Sequence, residues 1–456
     1  MHMKKTLTST LLFLSTISFG QTTEDSIFIR KIYDFALTSG QCYEVLTHLC
    51  TQIGPRLSGS KGADQAVKYM QSVMLQQKFD KVQLQEVLVP HWERGNLCEV
   101  KVNANSSSKM LSACALGGSV GGNIKDAQVV EIKQFDELEK LGEAGIKGKI
   151  VFFSRPMEPT HIHTFEAYGG CVEQRWGGAA KAAKYGAIAS LTRSMSLKED
   201  KFPHTGSMSY DSLYAKIPAI AISTEDATWL SKNIAKKQNL SISIQLNCQT
   251  LPDTMSHNVI GDLVGNTLPN EILLTGGHLD AWDNGQGAHD DGAGCVQSME
   301  ALRILKSLGY TPNRTIRAVL FMNEENGLRG GKKYAEIAAN SNQKHVLAIE
   351  SDRGGFTPRG FYIDSDEEDV LKIKKYKSLL EPYGLHDFKK GGGGADISPL
   401  KKQGTLCLGY IPDSQRYFDV HHASSDVIEN VNKRELELGA ASIAAILYLI
   451  DKYGLN

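Results

Sequence analysis

The sequence predicts an α/β protein whose core is a mostly parallel sheet sandwiched by helices. Beyond Pro252 apolar runs recur in the order strand, loop, helix, the alternation that builds parallel sheets covered on both faces. Glycine is abundant, 43 residues against 13 prolines, which suits the many tight loops of such a fold better than a helical bundle. Successive apolar runs also end in His, Asp or Glu, the residue types expected where a sheet of this kind carries its chemistry.

The 456 residues are long enough for two or three domains. With 41% hydrophobic and 22% charged residues the chain can bury a substantial core. Lys+Arg is 50, Asp+Glu is 51 and the net charge is -1, so neither a nucleic-acid backbone nor an anionic membrane is the expected partner. No short-period repeat is visible, which argues against a solenoid or propeller.

The N-terminus reads as a secretory signal over residues 1–20. Lys4 and Lys5 precede the apolar stretch Leu7 to Phe19, and Ser18 and Gly20 place small residues before Gln21. The stretch falls short of the roughly 20 apolar residues that span a bilayer, and no other segment qualifies. The expected mature protein is soluble, not inserted in a membrane, and secreted or periplasmic, with cleavage near Gly20/Gln21. Among the eight cysteines no C-x-x-C pair occurs, which argues against a thiolate metal site. Cys42 and Cys50 are close enough in sequence to consider as a disulfide, and the default for the rest is a small buried hydrophobe.

Along the chain, Ser26 to Phe79 is helical in pattern, broken at Gly54-Pro55 and Gly59 to Gly62. Strand-like alternation follows from Val82 to Val89 and again near Val100. The GGSVGG run from Gly117 to Gly122 lacks the Lys-Ser/Thr of a phosphate loop. A separate unit is expected over 119–250, between a first catalytic part, 21–118, and a second, 251–456. Within it GKIVFFS reads as a turn and strand, GGAAKAAKYGAIASLTRS as a small-residue helix and strand, and IPAIAIS as a strand before a helix at Thr224. His161 and His163 share a strand face, but a lone pair of this kind is more often surface or substrate-contacting than metal-binding. In the C-terminal part the apolar runs are 271–277, 316–322, 346–350 and 405–409, with a helix over about 293–308.

The ends of these runs supply the candidate site. The first ends in His278 and Asp280, and its loop carries Asp290 and Asp291. The second ends in Glu324 and Glu325, the third in Asp352, and the fourth leads to His421, His422 and Asp426. The set contains His, Asp and Glu but no Cys, which fits a divalent ion of borderline hardness, zinc above others. Five ligands are too many for one tetrahedral zinc. Two zinc ions about 3.5–4 Å apart with a bridging carboxylate would use all five and leave room for a water. Crowded carboxylates repel each other unless cations neutralise them. Any single position fits a bland role, and Asp290 or Asp291 could simply cap the next helix; convergence of five on successive strand ends does not. Glu324 and Glu325 are neighbours that face opposite sides of an extended segment, so one can bind a metal while the other acts as general base. Asp280 and Asp426 are placed to accept the second ring N–H of His278 and His422 respectively. The run Gly391 to Gly394 reads either as a wall of the substrate pocket or as a plain loop.

At GGHLDAWDNGQGAHDDGAG, FMNEENGLRG, AIESDRGG, GGGGADISPL and YFDVHHASSD the sequence resembles metallopeptidase family 28, the two-zinc exopeptidases, and within it the carboxypeptidase Q group. IGPRLSGS, VPHWERG, GGSVGG, GKIVFFSRP and FPHTG resemble the same group, so the likeness covers nearly the whole mature chain. The resemblance implies a zinc-exopeptidase, aminopeptidase-like fold with a protease-associated (PA) domain inserted over 119–250. It implies that Asp290 bridges two zinc ions, His278 and Asp352 complete one, Glu325 and His422 complete the other, and Glu324 is the general base. Many family members carry Tyr just before the last ligand histidine; here that position is His421, to which an oxyanion-stabilising role is assigned by analogy. The implied reaction is hydrolysis of unblocked dipeptides or short peptides by metal-activated water, in a homodimer. Two alternatives share the fold: a single-zinc glutaminyl cyclase, disfavoured by both histidines plus Asp352, and an inactive binding or receptor-like relative, disfavoured by Glu324 with all five ligands.

Overall fold

In a computed structural model, which describes residues 23–104, 107–236 and 239–455, the chain forms a mixed α/β fold with two sheets. The expected signal segment lies outside the described residues. In chain order the strands are β1 (Lys81–Glu93), β2 (Cys98–Ala104), β3 (Ser107–Met110), β4 (Ala113–Ala115), β5 (Gly122–Ile132), β6 (Ile150–Phe153), β7 (Ala189–Arg193), β8 (Ala219–Ile222), β9 (Leu240–Leu246), β10 (Gln249–Leu263), β11 (Leu268–His278), β12 (Arg314–Phe321), β13 (Lys344–Glu350), β14 (Pro358–Ile363), β15 (Asp387–Lys390) and β16 (Leu406–Pro412). The first sheet has the order β1-β10-β12-β11-β13-β16-β14-β15, and the second β3-β2-β9-β5-β6-β7-β8-β4.

The centre of the first sheet is parallel, as the alternating pattern predicts. β12 and β13 both run parallel to β11, and β16 runs parallel to β13. Their apolar runs are almost wholly buried because helices cover both faces. Leu273 belongs to the same buried cluster as Leu302, Leu305, Ile443 and Leu447 of the helices Ala293–Ser307 and Lys433–Tyr453. Its neighbour Leu274 points the other way, to Tyr334, Ala335 and Ala338 of the helix Arg329–Ala339, as the two-residue period of a strand requires. Asn432 starts the last helix by accepting the Glu435 N–H at 3.1 Å.

β11 lies between β12 and β13, so the winding of the chain reverses there. That is where an open α/β sheet leaves a crevice beyond its carboxyl ends. The helix Ala293–Ser307 starts unusually close to this edge. A Cβ on Gly277 would overlap the Asp291 carboxylate and sit 3.0 Å from the Cys295 nitrogen, so only glycine fits the strand end.

The boundary of the second unit departs from the sequence expectation. β2, β3 and β4 all pair in the second sheet, so that unit begins near 98 rather than 119. β2 alternates as a strand should, but alternation does not say which sheet a strand joins; its partner β9 lies about 140 residues away. The elements expected within 119–250 are present, including β6, β7, β8 and the helix Thr224–Ala235, capped by Ser223. All eight cysteines are free, seven of them buried, so the Cys42–Cys50 pairing does not occur. No helix among the described residues is long and apolar enough to cross a membrane.

One buried titratable group lies far from the strand-end carboxylates. His345 is 5% exposed, its Nε2 is 2.7 Å from the Tyr334 hydroxyl, and Nδ1 has no partner. Burial first, and the nearby Arg317 guanidinium second, lower its pKa from 6.5 to about 4. The neutral ring is therefore the one the fold prefers. Its contribution to stability is complete above pH 6.5 and is lost as pH falls through 4. Denaturant titrations should show the wild type losing more stability than His345→Gln between pH 7 and pH 4, by on the order of 2–3 kcal/mol at most.

Candidate active site

The carboxyl ends of β11, β12 and β13 and the loop after β16 converge on Asp290. His278, the last residue of β11, places Nε2 3.2 Å from Asp290 Oδ1 and 3.5 Å from Asp352 Oδ1. On the other side His422 Nε2 is 3.2 Å from both Asp290 Oδ2 and Glu325 Oε2. The two oxygens of one carboxylate thus face two different histidines. Asp290, His278 and Asp352 form one cluster whose donor atoms could hold an ion, and Asp290, His421 and His422 form another. His421 stacks on His422 at 3.6 Å and brings Nε2 within 3.7 Å of Asp290 Oδ2. Glu325 and His421 therefore both approach the second position.

The backbone braces for this arrangement differ from those expected. His278 Nδ1 lies 2.9 Å from the backbone carbonyl of Asp280, and the Asp280 carboxylate is farther away at 3.9 Å. That carboxylate instead accepts the N–H groups of Asn323 (2.7 Å) and Glu324 (3.0 Å). It fixes the turn that presents Glu324 and Glu325, a turn in which Asn323 takes a positive φ of 73°. Asp426 likewise does not face the His422 ring. It accepts the N–H of His289 (2.8 Å) and of Asp290 (3.1 Å). The partner of His422 Nδ1 is the Thr205 carbonyl at 3.2 Å, in the second-sheet unit, and Thr205 N–H returns a bond to the His422 carbonyl at 2.9 Å. Residue spacing within a loop predicted these carboxylates near the histidines; the path of the backbone between them decided which atoms they meet.

Two further residues brace the site, and of these Arg56 had no clear sequence signal. Arg56, fully buried, donates to the carbonyls of Leu279 (2.6 Å), Gln286 (2.5 Å) and Gly287 (2.7 Å), pinning the loop that leads to Asp290. Asp291 accepts the His278 N–H (3.0 Å) and caps the following helix at Gly294 (3.0 Å), so the capping role belongs to Asp291 and not to Asp290. Gly393 and Gly394 pack against Cys407 and Glu350 and do not wall the site cavity. His161 is paired at the surface with Glu166.

The electrostatics are those of crowded, buried acids. Burial pushes the Glu324 carboxyl up to about 8, opposed by His278 and reinforced by Asp352 and Asp280. Burial, with Asp290 beside it, also raises Glu325 well above the usual range, and burial raises Asp352. Asp290 is the exception. Burial works against its ionisation, but the His278 contact and the His422 and His421 rings hold its pKa low. His421 is brought down to about 3 by burial, so its ring is neutral. Positive charge at Asp290 would reverse the penalties on its acidic neighbours.

The donor set fits metal ions on the structure's own terms. Both histidines are held through Nδ1 by carbonyl oxygens, which leaves the Nε2 lone pairs directed at Asp290. Asp290 Oδ2 is buried without a hydrogen-bond donor, an orphan that a cation satisfies. Over these residues opens a cavity of about 540 Å³, lined by Asp290, Glu324, Glu325, Asp352 and both histidines, and by Tyr168, Arg175 and Ser207 of the second unit.

Comparison with known proteins identifies the family. The model of peptidase family M28 matches residues 258–447. Carboxypeptidase Q of Bos taurus is 33% identical over 427 residues, covering 93% of this chain and 88% of that protein. The Homo sapiens carboxypeptidase Q is 34% identical, covering 91% and 86%. The crystal structure of a peptidase M28 precursor from Shewanella amazonensis superposes with a TM-score of 0.89 at 30% identity, covering 94% of this chain and 97% of that one. A zinc aminopeptidase from Bacillus subtilis shares the fold, with a TM-score of 0.65 at 21% identity over 91% and 95%. With its strand-end cluster and this extent of similarity, the chain belongs to peptidase family M28 and is a metallo-exopeptidase.

Proposed function

We propose that the protein is an exported exopeptidase that hydrolyses unblocked dipeptides or short peptides with two zinc ions. The observation that carries this reading is the division of Asp290, with one oxygen toward His278 and Asp352 and the other toward His422 and Glu325. His278, Asp290 and Asp352 would hold one ion, and Asp290, Glu325 and His422 the other. When bound, the ions supply the charge that polarises a peptide carbonyl and makes a water acidic at neutral pH. The second-sheet unit is read as the PA domain, and the segment 1–20 as the export signal. A homodimer is part of the same reading.

Glu324 is the general base. Its carboxylate lines the cavity beside the ligand cluster, and among the described residues no hydrogen bond ties it down. Asp280 fixes its backbone, so the side chain is aimed while remaining free to take a proton from water and pass it to the leaving amine. His421, neutral and enclosed by Tyr168, Tyr417 and Phe418, is the neighbouring group that can donate to a developing oxyanion. Thr205 keeps His422 in the tautomer that presents Nε2, and Asp426 holds the backbone of Asp290 in register.

Three outcomes test this. Glu324→Gln should lower kcat on a free dipeptide by about 10²–10⁴-fold while elemental analysis still finds two zinc ions per chain; undiminished turnover would remove Glu324 from the role of base. Chelation should abolish hydrolysis and lower the melting temperature, and added zinc should restore both; one firmly bound ion in a fully active chain excludes the two-metal arrangement. Asp426→Ala, which frees the backbone of 289–290, should weaken zinc affinity by about 10–100-fold, measured by competition with a chromogenic chelator.

A further inference from the structure

Four arginines are buried among the described residues: Arg56, Arg175, Arg303 and Arg317. Three have full sets of acceptors. Arg56 binds three backbone carbonyls, Arg303 pairs with Glu300, and Arg317 with Asp262. Arg175 differs. It is 7% exposed, no carboxylate of the described residues lies within ion-pair distance, and its Nε has no partner. Its polar neighbours are the Tyr168 hydroxyl and His422, whose Nδ1 lies 3.3 Å from a terminal guanidinium nitrogen. Because Nδ1 donates its proton to the Thr205 carbonyl when Nε2 is free to bind a metal, it has no lone pair to offer Arg175. A buried, uncompensated positive charge is costly and implies a missing anion.

The surroundings look built to hold this side chain. The guanidinium lies over the Tyr168 ring at 5.7 Å. It also packs on Gly206, where φ is +133° and a Cβ would come within 2.7 Å of His422 Nδ1; a larger residue would push the arginine out. Both Tyr168 and Arg175 line the same cavity as Glu324 and Asp352. The other basic side chain along that cavity, Lys332, is exposed at the rim and donates to the Gly327 carbonyl at 3.1 Å.

We propose that Arg175 is the specificity-determining residue of this enzyme, binding the free carboxylate at the carboxyl end of the peptide substrate. The assignment rests on the dipeptide-hydrolase reading above and adds which terminus is recognised. A planar guanidinium matches a carboxylate with two parallel hydrogen bonds, and it does so best where water is excluded. Of the charged side chains that line the cavity, Arg175 is the one that is buried, cationic and without an acidic partner among the described residues. The substrate's carboxylate is therefore drawn to the wall formed by the second unit, while the scissile bond lies toward Asp290 and Glu324. In this arrangement the inserted unit measures the peptide from its carboxyl end.

The test compares glycyl-leucine with glycyl-leucinamide on zinc-loaded wild-type, Arg175→Gln and Arg175→Lys enzymes. The wild type should favour the free acid in kcat/KM by roughly 30-fold or more. In Arg175→Gln that ratio should approach one, chiefly through KM for the acid, and Arg175→Lys, which keeps the buried charge, should recover part of it. Calorimetric binding of both peptides to zinc-loaded Glu324→Gln reads the same preference without turnover, and adding Arg175→Gln should erase it. A wild type that cleaves acid and amide equally well overturns the assignment and leaves the hydrolase reading intact, whereas a wild type that cleaves neither defeats both. An equal fall in kcat on both peptides in Arg175→Gln, or a preference that survives there and vanishes in Lys332→Gln, also overturns it.

Discussion

Negative charge brought together at one buried sheet edge is the constraint around which the rest of the molecule is organised. Asp290, Asp352, Glu324 and Glu325 lie close enough that burial and mutual repulsion keep the last three from ionising as isolated carboxyls do. Only Asp290, contacted by histidines on both sides, holds its charge easily. The arrangement is unfavourable for a bare apolar-walled pocket and favourable for one that receives divalent cations. A fold that merely needed stability would have placed fewer acids there.

Holding such groups in place requires backbone bracing, and the protein uses buried polar side chains for it. Asp280, Asp291 and Asp426 each accept main-chain N–H groups from the loops that carry the putting-in-place residues of the cluster: Asn323 and Glu324, His278 and Gly294, His289 and Asp290. Arg56 does the converse, donating to the carbonyls of the same loop region. Carboxylates that accept backbone hydrogen bonds do not compete for the metal position, so the acids divide into those that face the cavity and those that shape its walls.

The second-sheet unit is a working part of the site. Thr205 fixes the His422 ring, Arg94 ties Asp283 of the catalytic loop to the Ala115 carbonyl, and Trp282 packs against Gly117. Tyr168 and Arg175 complete the cavity wall. An acidic cluster on an open sheet edge would admit any peptide; a wall contributed by a separate unit gives it depth and a cationic end.

The sequence by itself determined the elements whose signal is local. The buried runs that became β11, β12, β13 and β16 are continuous and apolar, the helix after Gly292 has helical spacing, and the polar residues ending those runs carried the candidate ligands together with Glu324. β14 and the edge strand β15 were not legible, because such short strands have little periodicity; β14 owes its place to pairing with β16, and β15 to pairing with β14. The placement of β2, β3 and β4 in the second sheet depended on a partner far along the chain. Only the tertiary structure decided that Asp280 and Asp426 meet backbone N–H groups instead of imidazoles, that a carbonyl of the second unit orients His422, and that Arg175 reaches the cavity. Periodicity records which face of an element is buried; it does not record which atom of a distant loop will lie within 3 Å of a side chain. That depends on how elements cross in space.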